Sequence, residues 1–131
     1  NGRVVNTCNL SEDWVGYSTK NGDSVGDFSP LSNLTTVEIV QIGDYLGIPY
    51  DLVHKVPMDG LNVNENDEYI TDEDIMGVKY LDIHLYARDP EVLKESNPEA
   101  FDAIRQKELK NAFKLKPIPA YRPLESLIFK D

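Results

Sequence analysis

Cysteine is almost missing from this sequence of 131 residues, because Cys8 is the only one. A single cysteine excludes a disulfide framework within the chain and favours a reducing compartment. Long apolar runs are also missing, and no segment approaches the length needed to cross a membrane. No signal peptide is visible, and position 1 is Asn where a start Met would stand. The sequence therefore predicts a soluble, cytoplasmic protein with no membrane partner, and a chain that is processed or truncated.

Basic residues are scarce beside acidic ones, 13 against 23, which gives a formal net charge of -10. This excess of negative charge disfavours nucleic acid as a partner. The charge is uneven along the sequence. Residues 1–104 hold 20 acidic and 6 basic residues, whereas residues 105–131 hold 3 acidic and 7 basic residues. The basic segment suits local contact with an anionic ligand, although a solvated helix face accounts for most of its lysines.

Strand patterns are the third shortage. Residues 3–5 predict the end of a buried strand, and residues 127–129 a closing strand or a packed end. Helices are predicted elsewhere: Thr35 and Glu38 form a capping box at the start of one that ends at Gly47. Others are predicted over 49–55, 71–77, 80–87, from 89 and from 96, where Ser96 and Glu99 form a second capping box, with a polar loop at 56–70. Because one strand cannot complete a sheet, the chain is predicted to be the mostly helical part of an α/β fold.

The stretch richest in chemistry is the predicted loop at 7–34, between the strand and the first helix. It carries Glu12, Asp13, Lys20, Asp23 and Asp27 among three glycines. A loop this long is uncommon unless it binds something, and ligands of open α/β sheets gather beyond the carboxyl ends of strands. Residues 22–26 are not a phosphate loop, because the Gly-Lys-Ser/Thr ending is missing. The residues alone leave both a ligand loop and an ordinary solvated loop open.

Many short motifs in order resemble the NAD synthetase family, a group of N-type ATP pyrophosphatases. The resemblance covers residues 3–86 well and the C-terminal segment loosely. The matching positions are Thr7-x-Asn9-x-x-Glu12, Gly16-Tyr17-x-Thr19-Lys20-x-Gly22-Asp23, Asp27-x-x-Pro30-Leu31-x-x-Leu34, Tyr45-Leu46-Gly47-Ile48-Pro49, Lys55-x-Pro57, Asp59-Gly60-Leu61, Thr71-Asp72-Glu73-x-x-Gly77 and Tyr80.

This resemblance implies a fold and a reaction. The fold would be a doubly wound parallel-sheet domain of the adenine nucleotide alpha hydrolase-like type, with residues 1–131 as the mostly helical C-terminal part of that single domain. The reaction would be the ATP-dependent amidation of deamido-NAD to NAD through an adenylated intermediate. Ammonia would be the nitrogen donor, either free or delivered by a glutaminase domain. The family further implies Mg²⁺ as cofactor and a homodimer with its substrate site near the subunit interface.

The same resemblance assigns roles to five residues. Thr7 would lie near ATP, and Glu12 would be a magnesium ligand, whereas without the resemblance a Glu12 that caps a helix or lies in solvent is the better interpretation. Lys20 and Asp27 match family positions that contact deamido-NAD. Lys114 matches the lysine of a C-terminal His-Lys pair, whose histidine is Phe113 here.

The sequence also departs from the family. Two family contacts to ATP fall at Thr36 and Met58, which are different residue types here. The family's Ser-Gly-Gly-x-Asp-Ser pyrophosphate loop is not found in the 131 residues. The resemblance therefore implies that these residues are inactive by themselves.

An alternative from another class is a noncatalytic acidic interaction or calcium-binding module. Asn62, Asn64, Asn66 and Glu73 fall at positions 1, 3, 5 and 12 of an EF-hand loop, but position 1 should be Asp and position 6 should be Gly. A solvated acidic loop explains this pattern better. Besides hydroxyls, only Cys8, His54 and His84 could serve in nucleophilic catalysis; neither histidine has a neighbouring Ser or Cys pattern, so structural roles are expected for both histidines.

Overall fold

The computed structural model describes residues 1–117, 119 and 120, and these form a helical assembly. The predicted element at 127–129 lies outside the described residues. Seven α-helices and a 3₁₀ helix follow in order: α1 Leu10–Val15, α2 Thr36–Tyr45, α3 Tyr50–Val53, α4 Asp72–Met76, α5 Tyr80–Arg88, α6 Pro90–Ser96, α7 Pro98–Asn111 and the 3₁₀ helix Ala112–Leu115. Within the described part, no helix is long and apolar enough to span a bilayer.

Capping chemistry sets most helix starts where the sequence predicts them. Thr35 caps α2, and the carboxylate of Glu38 accepts a hydrogen bond from the Thr35 backbone N–H at 2.8 Å, completing the predicted capping box. Thr71 caps α4 by accepting a hydrogen bond from the Asp74 backbone N–H, without a reciprocal capping-box bond, and Gly77 ends that helix at φ +67°. The predicted ends of α2 and α4 are thus confirmed to within a residue or two.

Two predictions about helix starts are wrong. The stretch at 7–34 is not all loop, because Asn9 and Glu12 form a capping box that starts α1. The cap of α7 is Asn97, whose side chain accepts a hydrogen bond from the Ala100 backbone N–H, whereas Ser96 donates back to Val92 O. Because Pro98 is the first residue of α7, the cap falls one residue after Ser96. By contrast, Asp89 and Pro90 stand at the N-cap and the first position of α6, as the sequence predicts, although the Asp89 side chain makes no capping hydrogen bond.

The core lies where α1, α5, α6 and α7 meet. Ile83, Leu93 and Ile104 are fully buried, and Val15, Met76, Val78 and Tyr80 pack around them. Truncating any one of the fully buried three to alanine would cost about 2–5 kcal/mol of stability. This core fixes the C-terminal end of α1 against α7, which positions the region described below.

Polar contacts attach α2 to α5. Arg88 donates two hydrogen bonds to the Glu38 carboxylate, at 2.7 and 2.8 Å, and these lower the pKa of Glu38 to about 2. His84 Nδ1 shares a 2.8 Å hydrogen bond with Thr35 Oγ1. Gly43 is the one buried residue of α2, and apolar residues of α2, α3 and their connection remain exposed, with Tyr45 at 90%.

Strand pairing in the described residues is limited to two isolated bridges. Val5 pairs in parallel with Phe28, and Val63 pairs antiparallel with Tyr69. Val4 and Val5 are 59% and 43% exposed, so the predicted strand at 3–5 is extended but not buried. The doubly wound sheet itself stays a prediction.

Candidate functional site

The parallel pairing of residues 4–6 with residues 27–28 places Asp27. Its backbone N–H donates to Val4 O at 2.8 Å, and its carboxylate accepts from the Val4 N–H at 2.8 Å. The preceding Gly26 lies so close to Asn6 that a Cβ there would be 2.5 Å from the Asn6 nitrogen. The side chain of Asp27 is thereby fixed on an exposed edge of the molecule.

Cys8 is buried beside Asp23 and does not supply a nucleophile. Its Sγ lies 3.4 Å from an Asp23 oxygen, and burial, together with the Asp23 charge, raises the pKa of the thiol to about 11. Partial burial also acts to raise the pKa of Asp23, but hydrogen bonds from Thr19 and Cys8 outweigh it and lower that pKa. Cys8 is therefore a protonated thiol near neutral pH.

Glu12 serves in the capping box of α1 and also stands among negative charges. One carboxylate oxygen accepts from the Asn9 N–H at 2.9 Å. Burial raises the pKa of Glu12, the Asn9 bond opposes this, and the charges of Asp13, Asp72 and Asp23 raise it further. Thr7 lies exposed two residues before the cap.

The surroundings of Glu12 fit a divalent cation, because a cation would relieve this repulsion. Mg²⁺ commonly takes one or two carboxylates and fills its other positions with phosphate oxygens and water. Among the described residues there is no cluster of three acidic, His or Cys side chains that would enclose a metal by itself. Glu12 therefore suits a metal that arrives with a phosphate ligand.

A buried carboxylate that the sequence analysis did not single out joins α4 to the loop after α1. Asp72 accepts hydrogen bonds from the hydroxyls of Tyr17, at 2.9 Å, and Tyr80, at 3.3 Å. Burial is the main cause that raises the pKa of both tyrosines, so both stay protonated and donate. Asp72 and Tyr80 do lie in motifs that match the family, Thr71-Asp72-Glu73 and Tyr80. Those motifs contain no local pattern that predicts the hydrogen bonds between Asp72 and the two tyrosines.

Lys20 and Lys114 come together across the contact between the loop at 16–20 and the segment at 112–116, here called the lysine seam. Lys20 Nζ donates to Phe113 O at 3.2 Å and to Lys116 O at 2.8 Å. Lys114 Nζ donates in the opposite direction, to Gly16 O at 2.5 Å and to Ser18 O at 3.0 Å. Each lysine therefore binds the backbone that carries the other.

A groove of about 580 Å³ lies next to Asn9 and Tyr80, between α2 and residues 53–57. Thr36 and Lys55 line it, so the position that matches a family ATP contact faces this groove. A second groove of about 530 Å³ lies between α4, α5 and α7, and its charged lining is four carboxylates against one cation: Glu73, Asp74, Asp82 and Glu99 with Lys79. Its acidic lining disfavours an anionic nucleotide, so the first groove is the better candidate for ATP.

The calcium-loop pattern does not form one site. Asn64 accepts backbone hydrogen bonds from Asn66 and Glu68 within the turn of the 62–70 hairpin. Glu73 lies in α4 and accepts from the Tyr80 N–H at 2.8 Å. The four side chains are thus divided between two elements with separate structural roles.

Comparison with known proteins gives one consistent family. The family described as NAD synthase matches residues 1–118. Among curated relatives, the NH(3)-dependent NAD(+) synthetase of Malacoplasma penetrans is 35% identical over 76% of this chain and 39% of its own length. The enzyme of the same name from Mannheimia succiniciproducens is 37% identical, over 78% of this chain and 37% of its own length. The one from Methanocaldococcus jannaschii is 33% identical, over 88% of this chain and 47% of its own length. The chain therefore spans less than half the length of each.

Solved structures support the same fold. The NMN synthetase from Francisella tularensis has a TM-score of 0.76 and 31% identity, over 92% of this chain and 47% of that protein. The NH3-dependent NAD synthetase from Campylobacter jejuni, solved in complex with nitrate, has a TM-score of 0.61 and 26% identity, over 93% of this chain and 46% of that protein.

Proposed function

Because the chain belongs to the NAD synthase family, we propose that it takes part in the ATP-dependent amidation of deamido-NAD to NAD. The observation that carries this proposal is the family match over residues 1–118. The lysine seam supports it, since two cations assigned to substrate from the sequence meet in space. A calcium-binding or noncatalytic module has no comparable support.

The proposed reaction makes the carboxylate a better acyl donor. The nicotinate carboxylate attacks the α-phosphate of ATP, pyrophosphate leaves, and ammonia then displaces AMP to form the amide. Glu12 would hold Mg²⁺, which when bound offsets the phosphate charge. Thr7, on the exposed segment leading into α1, would contact ATP. Lys20, Lys114 and Asp27 would hold the pyridine nucleotide, the lysines at anionic groups and Asp27 at hydroxyls or ammonia.

A second candidate differs only in substrate. The Francisella tularensis structure is an NMN synthetase, and its TM-score of 0.76 exceeds the 0.61 of the NAD synthetase structure. Amidation of nicotinate mononucleotide uses the same carboxylate chemistry on a smaller nucleotide. We propose the deamido-NAD reaction as the main function, in a cytoplasmic homodimer, and keep this one as the alternative.

The test uses the protein expressed from the complete reading frame that contains this sequence, called the full-length protein below. It is incubated with ATP, Mg²⁺ and ammonia, and with either deamido-NAD or nicotinate mononucleotide, and both AMP and the amide product are measured. We expect stoichiometric NAD and AMP, with the higher kcat/KM on deamido-NAD. A higher value on nicotinate mononucleotide would favour the alternative, and no amide from either would refute the family reaction for this protein.

Lys20→Ala should weaken deamido-NAD binding by about 1.5–3 kcal/mol, because a charge-assisted bond to the nucleotide is lost. Asp27→Ala should also weaken it, through loss of an acceptor. Calorimetric titration of the full-length protein measures both effects, with Lys55→Ala as the control. Lys55 lines the groove of about 580 Å³ that is the candidate for ATP, so its loss should spare deamido-NAD binding. Wild-type affinity in both variants would rule out these assignments.

A further inference from the structure

Asn111, the last residue of α7, joins that helix to the end of α1. Its side-chain amide donates one hydrogen bond to Val15 O at 3.1 Å and another to Lys107 O at 2.9 Å. Both amide N–H groups are thus used, one on each helix. The residue lies directly before the 3₁₀ helix that carries Lys114.

Gly16 allows this close approach. It ends α1 at φ +70°, and a Cβ placed on it would be 2.1 Å from Asn111 Cγ. The side chain of Asn111 therefore packs directly against the backbone where the loop of the lysine seam begins. Such close packing leaves little freedom for α7 to slide along α1.

The two lysines of the seam keep capacity for a ligand. An ammonium group has three N–H donors, and Lys20 and Lys114 each use two on carbonyl oxygens. Although the sequence has 23 acidic residues, neither lysine has a carboxylate within salt-bridge distance in the described part of the chain. Each lysine therefore has a donor and an unneutralised charge to offer an anion.

We propose that Asn111 is a positioning residue for the pyridine nucleotide, an inference that rests on the proposed function. By fixing α7 on the backbone at Gly16, it sets the lysine seam so that both ammonium groups can meet a phosphate group of the substrate. The phosphate is favoured over the nicotinate carboxylate, because pairing the carboxylate with two cations would weaken it as the nucleophile. Asn111 itself does not touch the substrate.

The test compares Asn111→Asp with Lys110→Ala in the full-length protein. Asn111→Asp keeps the shape but loses both donors, whereas Lys110 is an exposed neighbour on α7. We expect Asn111→Asp to raise KM for the pyridine nucleotide about tenfold, with KM for ATP and kcat within about twofold of wild type. Lys110→Ala should match wild type throughout. Asn111→Ser, which keeps one donor and adds no charge, replaces Asn111→Asp if that variant does not fold by circular dichroism.

A second measurement separates positioning from a purely structural role. If Asn111 acts through the seam, adding Lys20→Ala to Asn111→Asp should raise KM by less than Lys20→Ala does in the wild type. An unchanged KM accompanied by a lower melting temperature or lower kcat would overturn the inference while the proposed function stands. Fully additive effects would also overturn it. A wild-type protein without amidation activity would instead remove the proposed function, and this inference with it.

Discussion

Replacing Gly16 with alanine should lower the free energy of unfolding by roughly 2–5 kcal/mol. The left-handed conformation at φ +70° costs a residue with a Cβ about 1–2 kcal/mol, and forcing that Cβ against packed atoms costs about 1–3 kcal/mol more. The added atom would overlap Asn111, which cannot withdraw without losing its hydrogen bonds to Val15 O and Lys107 O. Urea denaturation of the full-length protein measures the loss.

Gly77 provides a matched control for this substitution. It also ends a short helix in the left-handed region, at φ +67°, but a Cβ there would have no atom within 4 Å. Gly77→Ala should therefore show the conformational cost alone. In an Asn111→Gly background, which also removes the Asn111 Cβ that would lie 2.3 Å from the added atom, the cost of Gly16→Ala should fall to the same level. Equal destabilisation by Gly16→Ala and Gly77→Ala in the wild type would show that the contact with Asn111 is not restrictive.

Glu12→Gln should reduce kcat/KM for magnesium-ATP by about 10–100-fold or more, the range for disturbing the partners of a metal ligand. The same substitution should leave the fold unchanged or more stable. Glutamine can complete a capping box, so α1 keeps its cap. It also removes a charge that Asp13, Asp72 and Asp23 repel. Magnesium titrations of the initial rate and urea denaturation measure the two effects.

Glu38→Gln is the matched control, because Glu38 occupies the same capping-box position in α2. It binds Arg88 and has no proposed metal role, so Glu38→Gln should lower stability and leave the magnesium dependence of the rate unchanged.

The two carboxylates should also change the free energy of unfolding in opposite directions as pH rises. The raised pKa of Glu12 makes its charged form destabilising, a penalty that grows as pH rises above about 4.5. The lowered pKa of Glu38 gives stability that is present above about 4.5 and is lost as pH falls towards about 2. Unchanged magnesium dependence in Glu12→Gln would refute the metal role.

Local chemistry predicted the helices better than it predicted their partners. Thr35 with Glu38 identified α2, because a capping box and apolar residues at helical spacing agree. Asn9 and Glu12 form the same box, yet the sequence predicts a loop there, because six residues are too few to show a period. The assignments of Lys20 and Lys114 came from family motifs and not from periodicity. No local pattern could show that these lysines meet, or that Tyr17 and Tyr80 share Asp72.

The hydrogen bonds of the lysine seam join residues more than 90 positions apart in the sequence. Contacts of such separation carry a large loop-closure entropy unless the intervening chain is already ordered. The seam should therefore form late in folding, after α5, α6 and α7 have packed between its two sides. During synthesis, Lys20 leaves the ribosome long before its acceptors at Phe113 and Lys116 exist. The surface that we propose for the nucleotide would then be among the last parts of the molecule to be assembled, so partly folded chains would lack it.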